Sequence, residues 1–475
     1  MGRSAHSLML EMGVEQANRA LILASPLGAQ MLLPQRVVGE SRIGRECELT
    51  VDVVSRERAI ELKKLMAQPV TLWVRQRDNS YLPYHGFVFA TRRLGADGGL
   101  TYYQLSFSSW MRFLRHRKDA RIFQDRTTAD ILAEVFEGHS HARGQYRFDV
   151  SDRGMTRSYC TQYDSDHNFV HRLMESEGWF TYIEQAEDGK SHTVVITDDM
   201  FRFKPLDSQE VTFYRADRNG GADALVEWSS ERKVQSVAYG MRTPDYKRPS
   251  WPKERSGIST DDHGDVPKEL EVYEYEGPYS FPLTENSTDR GSHAVQVRIE
   301  EFESRSKRFF GVGSVPCMDA GRWFHLKNHP EHDADKAQDQ EFATIAVRWS
   351  IQNNLPLGNS RPFPHSLQRQ MARVRAEYKD MQSLFTSKDE SGNESFSLVE
   401  IESQRRRVPY RSPFEHEKPV MHMQTATVVG PASEEIFTDE LNRVKVQMHW
   451  DRLGSSDQSS SCWMRVVSPN AGGGF

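Results

Sequence analysis

Short runs in which apolar and polar residues alternate dominate the first part of the chain and predict strands with one buried face. In residues 70–75 every even-numbered position is apolar, and a period of two places those side chains on one face of a strand. Residues 86–90 and 100–105 flank a glycine-containing turn at 95–99, which is typical of a hairpin. We therefore expect antiparallel sheet here, as a barrel or a sandwich.

Helical spacing of apolar residues occurs in three segments of the first part of the chain. Residues 127–136 carry apolar side chains on one face behind a threonine cap. A second helix is predicted from the capping cluster around Ser165 to Gly178, because side-chain oxygens accept from the free amides of a first turn. A third helix is predicted between Ser55 and Pro69.

The middle of the chain predicts more strand than helix. Residues 179–183 and 192–197 enclose an Asp-Gly turn and predict a second hairpin. Residues 245–292 are rich in Pro, Gly and acidic residues without clear periodicity, which favours a loop-rich connection. From residue 294 to 350 we expect strands and loops again.

A seam of apolar residues then recurs at alternating spacings of four and three. It covers fewer than three heptads, which is short for a coiled coil. A helix lying on its own chain is the favoured interpretation, and pairing of helices between subunits is the alternative. The positions are Leu367, Met371, Val374, Tyr378, Met381 and Phe385.

The C-terminal part begins with a linker and continues as a small all-β pattern. Residues 405–422 combine three consecutive arginines with three prolines and predict an extended, solvated connector. Residues 443–450 alternate strictly and predict a strand. Its inward positions are Val444, Val446, Met448 and Trp450.

Charge and composition narrow the class of protein. Lys and Arg number 61 against 67 Asp and Glu in 475 residues, a net charge of −6, whereas a nucleic-acid scaffold normally carries a basic excess. The strongest basic cluster, residues 112–121, is interpreted as a solvated face or a contact with an acidic protein. No stretch approaches the roughly 18 apolar residues of a membrane span, and no signal peptide is recognised. The four cysteines form no CxxC and are expected to be reduced.

The search for catalytic and metal-binding patterns is negative. His325, His329 and His332 have a spacing that could suit a metal, but Pro330 interrupts a helix there and no HExxH glutamate is present. No GxSxG, phosphate-loop or dinucleotide-binding glycine pattern occurs. We therefore predict no enzyme activity, no metal and no cofactor.

Two segments resemble a known family in detail. Residues 157–179 closely resemble the first signature of VgrG proteins, and residues 426–466 look like the second. VgrG is the spike of the bacterial type VI secretion system and is similar to the hub and spike of contractile phage tails. The first set is Tyr159, Gln162, Tyr163, Asp166, Phe169, Arg172, Glu175, Glu177 and Gly178. The second set is Gly430, Asp439, Arg443, Val444, His449, Trp450, Asp451, Arg452, Trp463 and Arg465.

The resemblance implies a mainly β fold with minor α content. It implies two hub β-barrels with helical and loop insertions in residues 1–404, the proline-rich linker at 405–422, and an OB-type barrel at 423–475. It also implies a homotrimer, in which two barrels in each of three chains match a sixfold tube while the spike stays threefold. The signature residues are then structural.

The partners implied by the resemblance belong to the secretion machine. They are a hexameric tube protein, baseplate proteins, and a tip protein or effectors, with neither nucleic acid nor stable membrane insertion. Assembly in the bacterial cytoplasm and ejection by the machine, into the medium or a target cell, would need no signal peptide.

Three features depart from the family. Asn442 stands where the family usually has glycine before Arg-Val-Lys-Val, and asparagine tolerates the left-handed conformation. The stretch 355–392, which carries the heptad seam, is longer than the usual connection. The needle-like β-helix that follows the barrel in the family is not found before Phe475, which leaves two interpretations: the sequence is a fragment, or the hub lacks its own needle.

Two alternatives stay open at this point. One is a cell-wall hydrolase carried on a spike. The other is an OB module that binds nucleic acid, for which Lys445, His449 and Arg465 are the candidate contacts.

Overall fold

A computed structural model of the chain divides into two compact units. The first unit comprises Met1–Trp110, Gly144–Asp149 and Trp179–Ser412, and the second comprises Met111–Arg143, Val150–Gly178 and Pro413–Phe475. The structure describes residues 19–28, 30–97, 99–214, 224–244, 250, 253–261, 263–275, 290–357 and 362–467.

Strands outnumber helices along the chain. The strands are β1 (Leu21–Ala24), β2 (Leu33–Arg42), β3 (Cys47–Ser55), β4 (Pro69–Arg75), β5 (Tyr81–Asp97), β6 (Leu100–Ser108), β7 (Arg121–Phe123), β8 (Tyr146–Asp149), β9 (Cys160–Gln162), β10 (Phe180–Gln185), β11 (His192–Thr197), β12 (Lys204–Phe213), β13 (Ala224–Arg232), β14 (Ala238–Thr243), β15 (Lys253–Ile258), β16 (Glu271–Tyr275), β17 (Lys307–Gly313), β18 (Arg322–Lys327), β19 (Glu341–Gln352), β20 (Thr386–Lys388), β21 (Glu394–Arg405), β22 (Ala426–Val429) and β23 (Lys445–Met448). The α-helices are α1 (Thr128–Glu137), α2 (Asp166–Glu177), α3 (Arg290–Ser306), α4 (Gln368–Glu377) and α5 (Gln382–Phe385). The mainly β prediction is confirmed.

The N-terminal strands form an antiparallel sheet in the order β1-β4-β5-β6-β3-β2. Val70, Leu72 and Val74 of β4 are buried, as the alternation predicts. The predicted hairpin is β5–β6, which pairs Asp97 with Leu100 across a tight turn. Gly99 has a φ of +86°, a conformation that favours glycine.

The two ends of this six-stranded sheet are joined by one side chain. Asn353, just after β19, donates to the carbonyls of Leu21 in β1 (2.9 Å) and Pro34 in β2 (2.7 Å). Its Oδ1 accepts from the Leu21 amide at 3.1 Å. The amide thus satisfies backbone groups that a ladder between β1 and β2 would otherwise pair.

A second set of six strands closes completely. The order β19-β18-β12-β13-β17-β21 returns to β19, because β19 also pairs with β21. Buried aromatic rings fill this barrel: Phe309 and Phe324 lie 5.0 and 6.0 Å from Phe342 between ring centroids. β19 also pairs with β2, so one strand belongs to both sheets.

The predicted hairpin after Gly178 is also present. β10 and β11 pair antiparallel, with Phe180 opposite Thr197 at one end and Gln185 opposite His192 at the other. β8 pairs with β11 in parallel. The prediction of strand here was therefore correct.

Two expectations for the middle of the chain were wrong. Within residues 245–292, β15 and β16 flank β14 in a three-stranded sheet, so the described part is not simply a loop. Within 294–350, α3 replaces the expected strands up to Ser306. Val295, Ile299 and Phe302 of this helix pack with Tyr239 and Met241 of β14, which buries one face of the sheet.

Two further helix predictions need correction. Between Ser55 and Pro69 the chain forms only a 3₁₀ turn, Leu62–Lys64, because β3 extends to Ser55 and Leu65 enters the main core. The heptad segment is a helix interrupted after α4, and Asp52 accepts from the amide of Leu367 at its start (2.8 Å).

The seam packs against its own chain. Met371 is buried with Phe385, Phe396 and Leu398, and the side chains Val374, Tyr378 and Met381 pack against this cluster. Pairing of these helices between subunits stays a prediction.

Two of the three arginines at the start of the predicted linker are largely buried rather than solvated, and Arg407 is exposed. Arg405 and Arg406 are largely buried and pair with Asp335 (2.6 Å) and Glu341 (2.9 Å), and Arg407 pairs with Asp339. Their role is therefore to fix the end of β21, which corrects the expectation of a free basic run.

The second unit contains α1, α2 and the C-terminal module. α1 starts behind Thr127 and α2 behind Ser165, so both predicted helices are confirmed. In residues 423–467, β22 pairs with β23, and isolated bridges join Val444 to Thr438 and Met464. β23 is shorter than predicted, and an OB-type barrel stays a prediction.

Two global features complete the fold. All four cysteines carry free thiols. Among the residues that the structure describes, no helix is long and apolar enough to cross a bilayer.

Candidate functional site

The first signature lies in the second unit and runs through β9 to the end of α2. Ser165 caps the helix by accepting from the Asn168 amide, and Gly178 ends it with a φ of +76°. Phe169 stacks on Phe123 of β7 with ring centroids 5.6 Å apart, which anchors the apolar face of the helix. α2 therefore presents its polar signature residues from a fixed position.

Asp166 is the centre of a buried polar network at the start of α2. Its carboxylate accepts from Gln162 Nε2 at 2.6 Å and lies 2.7 Å from His139 Nε2. The Arg117 guanidinium is 3.6 Å away, and Gln162 in turn accepts from Arg121 Nε at 2.9 Å. The spacing of His139 and Arg117 from the signature gave no indication of this contact.

Asp119 connects Arg452 of the second signature to Arg117, which itself lies 3.6 Å from Asp166 of the first signature. The buried Asp119 carboxylate pairs with Arg117 (3.1 Å) and with Arg452 (3.0 Å). Burial by itself raises the pKa of Asp119, but the Ala120 amide and the two arginines outweigh burial and lower it below its usual value. The predicted solvated face at residues 112–121 is thus partly a pairing surface.

Glu177 fixes the loop before β9. Its Oε1 accepts from Thr128 Oγ1 (2.6 Å), from the Met155 amide (3.0 Å) and from Arg157 (3.1 Å). The carboxylate is buried, so these donors replace the water it loses. Glu177 therefore acts as a structural acceptor.

Glu175 holds a strap, which we define as residues 413–418. The carboxylate accepts from the backbone amides of Glu415 and His416, both at 3.2 Å, and lies 2.7 Å from His416 Nδ1. One turn earlier, Asn168 Nδ2 donates to the Glu417 carbonyl at 2.8 Å. α2 therefore binds the chain that leads into the C-terminal module.

Histidine rings cover the same part of the strap. His416 stacks on His171 with centroids 4.7 Å apart and an angle of 16°, and His167 lies 4.4 Å from His171. His167 and His171 are four residues apart on α2, which places them on one helix face. The strap is thus held by a carboxylate and by ring contacts together.

The remaining residues of the first signature also face partners within this unit. Tyr163 packs edge-on against Trp450 of the second signature, with centroids 5.4 Å apart. Arg172 lies over the Phe169 ring and 3.6 Å from Asp164. Burial raises the pKa of Tyr159 to about 12, so its hydroxyl stays neutral.

The second signature builds a turn and a small aromatic contact. Asp439 accepts from the amides of Leu441 and Arg443, both at 3.0 Å, and Asn442 between them has a φ of +55°. The left-handed conformation anticipated for Asn442 is therefore present. Val444 follows this turn and bridges to Met464.

Contacts inside the module account for most of its other signature residues. Gly430 lies against Phe437, where a Cβ atom would come within 2.8 Å, and Phe437 packs on Trp463. His449 bonds Thr425 and Thr427, and Asp451 accepts from the Leu453 amide. Arg465 is exposed.

The same module exposes large apolar side chains. Met423 is fully exposed, and Ile436, Leu453 and Leu441 keep 81%, 61% and 50% of their surface accessible. Exposed apolar surface of this kind marks interaction sites. Further members are Val428, Val466 and Val467, and Val420 and Met421 are exposed just before the module.

Of the histidines considered for a metal, His332 offers no free ligand atom. His329, Glu331 and His332 come close together, whereas His325 faces Glu341. In His332, Nε2 accepts from Trp228 Nε1 (3.1 Å) and Nδ1 lies 3.0 Å from Asp335, so both nitrogens are engaged. This arrangement suits a structural histidine.

The site is built for positioning rather than for proton transfer. Asp166, Glu175 and Glu177 are each buried, and each faces at least two hydrogen-bond donors that replace its contacts with water. A general acid or base needs an accessible group with a tunable proton. The chemistry of the signature is therefore the joining of chain segments.

Comparison with known proteins agrees with this description. The family model for the phage tail baseplate hub (GPD) matches residues 40–355. A Pseudomonas aeruginosa protein named type VI secretion system spike protein VgrG1c is 28% identical over 467 residues, 96% of this chain and 57% of the relative. The actin cross-linking toxin VgrG1 of Vibrio cholerae is 25% identical over 99% of this chain and 39% of its own length. The chain thus spans little more than half of the first relative.

A solved structure shows the same fold. An Escherichia coli protein, described as a component of the type VI secretion system with structural similarity to the T4 bacteriophage tail proteins gp27 and gp5, aligns with a TM-score of 0.61 at 13% identity. The alignment covers 94% of this chain and 93% of that one.

Proposed function

Because the chain belongs to the phage tail baseplate hub family, we propose that it forms the hub of a type VI secretion spike. The names of its curated relatives support this function, since most are spike proteins of that system. The buried, donor-saturated carboxylates of the signature support a structural role. The division into a hub region (1–404), a linker (405–422) and an OB-type barrel (423–475) stays a prediction.

The proposed assembly is a homotrimer that contacts a hexameric tube protein and baseplate proteins. The observation that carries it is the apolar surface of the C-terminal module, where Ile436 and Leu441 would be unfavourably exposed in a monomer. Three copies can cover these side chains around a threefold axis. Two six-stranded arrays in each chain would then supply six similar positions to the tube.

The remaining elements of the proposal follow from the same function. The hub would be assembled in the bacterial cytoplasm and exported by the secretion machine, together with a tip protein or effectors. Binding of nucleic acid is disfavoured, because Lys445 donates to the Ser461 carbonyl and His449 bonds two threonines. Of the three candidate contacts, His449 and Arg465 are exposed and Lys445 is half-buried.

Light scattering of the purified chain tests the assembly. We expect a mass of three times 54.7 kDa at micromolar concentration. Ile436→Asp combined with Leu441→Asp should lower this mass, since both would place charges in the contact. Val234→Asp is the matched control, because Val234 is 71% exposed in the first unit.

Two outcomes would contradict the proposal. A wild-type monomer at micromolar concentration would rule out the trimeric hub. A trimer that survives the double substitution unchanged would rule out the apolar surface as its contact.

A further inference from the structure

A buried histidine pair lies in the first unit, apart from the signature network. His85 is in β5 and His192 begins β11, and their Nδ1 atoms are 2.8 Å apart. Both side chains are buried, and Phe87 packs edge-on against both rings. Two imidazoles at this distance must share one hydrogen between their Nδ1 atoms.

A backbone amide fixes which ring donates. The Trp110 N–H donates to His192 Nε2 at 3.2 Å, so the proton of neutral His192 is on Nδ1. That Nδ1–H donates to Nδ1 of His85, which leaves the proton of His85 on Nε2. In the hydrogen-bonded chain from the Trp110 amide through His192 to His85, each nitrogen is therefore assigned as either a donor or an acceptor.

The pair is part of the contact that holds the β10–β11 hairpin on β4 and β5. The His85 amide donates to Gln185 Oε1 (2.9 Å), and Thr71 Oγ1 donates to the Gly189 carbonyl (2.6 Å). Gly189 lies so close to Trp73 that a Cβ atom would come within 2.4 Å of the indole. The hairpin is thus held by three polar contacts and one close packing contact.

We propose that the His85–His192 pair is an acid-sensitive latch, whose protonation releases the β10–β11 hairpin from β4 and β5. A proton added to His85 Nδ1 would place two N–H groups against each other at 2.8 Å. A proton added to His192 Nε2 would instead face the Trp110 N–H. Either event removes a hydrogen bond and leaves a buried cation beside a donor.

The charges around the pair give the direction of the response. Burial lowers the pKa of His85, and Asp188 in the hairpin turn opposes this by favouring the cation. Burial, followed by repulsion from His85, lowers the pKa of His192 to about 3. Among the described residues, the groups contributed by β4 (Thr71, Trp73), by β10 (Gln185) and by Trp110 are neutral. The closed hairpin is therefore stabilised above the ordinary histidine pKa of about 6.5 and loses stability as the pH falls below it.

Hydrogen exchange of the full chain measures the latch, because the Trp110 amide donates to His192 and the His85 amide donates to Gln185 of the hairpin. After correction for intrinsic exchange, we expect the opening constant at pH 5.5 to exceed that at pH 8 by at least about tenfold, the factor for each histidine that protonates only when open. The double variant His85→Gln, His192→Gln should show no such change between the two pH values. The control His325→Gln, in the same unit, should keep the wild-type response.

A flat wild-type profile would overturn the proposal, and this measurement does not depend on any variant folding. A tenfold response that persists in the double variant would overturn it equally, since another group would then be responsible. The single variant His85→Gln is a milder change. It removes one of the two rings that can accept a proton and should therefore reduce the pH dependence of the opening constant. Retention of the full wild-type response would assign the effect to another group.

Discussion

Replacing Glu175 by glutamine should free the strap from α2 without changing its shape. The carboxylate now accepts from two backbone amides and from an imidazole, at 3.2, 3.2 and 2.7 Å. Glutamine keeps one oxygen, but its NH₂ group would face a donor. Glu175→Gln therefore removes the negative charge and at least one hydrogen bond.

The magnitude follows from the buried, charged character of the acceptor. A hydrogen bond to a charged group contributes about 1.5–3 kcal/mol, and Glu175 is 2% exposed, so little screening by water applies. Losing one such bond corresponds to roughly 10- to 150-fold more frequent opening of the strap. The ring contact of His416 with His171 and the Asn168 bond remain, so the module should stay folded.

The amides of Glu415 and His416 are themselves the reporters, since both donate to Glu175. Their hydrogen exchange in the native chain should accelerate by the factor given above, with no change in the protection of α1. Glu134→Gln is the matched control, because Glu134 on α1 is half exposed and its only close cation, among the described residues, is Arg121 at 3.8 Å.

The result that refutes this reasoning is an exchange rate of the two amides within threefold of wild type in Glu175→Gln. An equal acceleration in Glu134→Gln would also refute it, because the effect would then come from net charge. A double-mutant cycle with His416→Gln adds a further check and should give a coupling energy of about 0.5–3 kcal/mol for residues in contact.

Substitutions at three further positions test other parts of the structure. Gly178→Ala should cost about 1 kcal/mol, seen as a lower melting temperature, because φ is +76° at this helix end; an unchanged melting temperature would contradict the left-handed end. Asn442→Gly should be nearly neutral while Asn442→Val costs about 1–2 kcal/mol in the same assay, and equal effects would contradict the φ of +55°. Met371→Ala should cost about 2–5 kcal/mol in denaturant unfolding, because Met371 is 1% exposed against Phe396; a loss below 0.5 kcal/mol would show that the seam is not packed on its own chain.

Local signals in the sequence determined the elements that need no distant partner. Ser165 and Gly178 set the ends of α2 through cap chemistry and a left-handed φ, both of which depend on a few neighbouring residues. The alternation of β4 gave its buried face correctly. The two signature segments also carried the family, through residue identities rather than periodicity.

The spacing of apolar residues did not predict the secondary structure correctly where one pattern is compatible with both a strand and a helix. Residues 294–302 place Val295, Val297 and Ile299 at every second position, which resembles a strand. Val295, Ile299 and Phe302 also lie at helical spacing. The sheet that contains β14 covers the helix face formed by these three residues, and this packing stabilises the helix. The burial of Arg405 in the expected linker likewise depends on a carboxylate far away in the sequence, Asp335, with which it forms an ion pair.

Only the tertiary structure decided what the signature residues do. Asp119 and Arg452 are separated by 333 positions, and the closure of the six-stranded barrel depends on β19 pairing with both β18 and β21. The loop-closure entropy lost in each such contact is offset only when many other contacts form with it. No local sequence pattern therefore indicates which distant residues will meet. The sequence determined which residues prefer helix, strand or turn, and the cooperative packing of distant segments determined which carboxylate meets which cation.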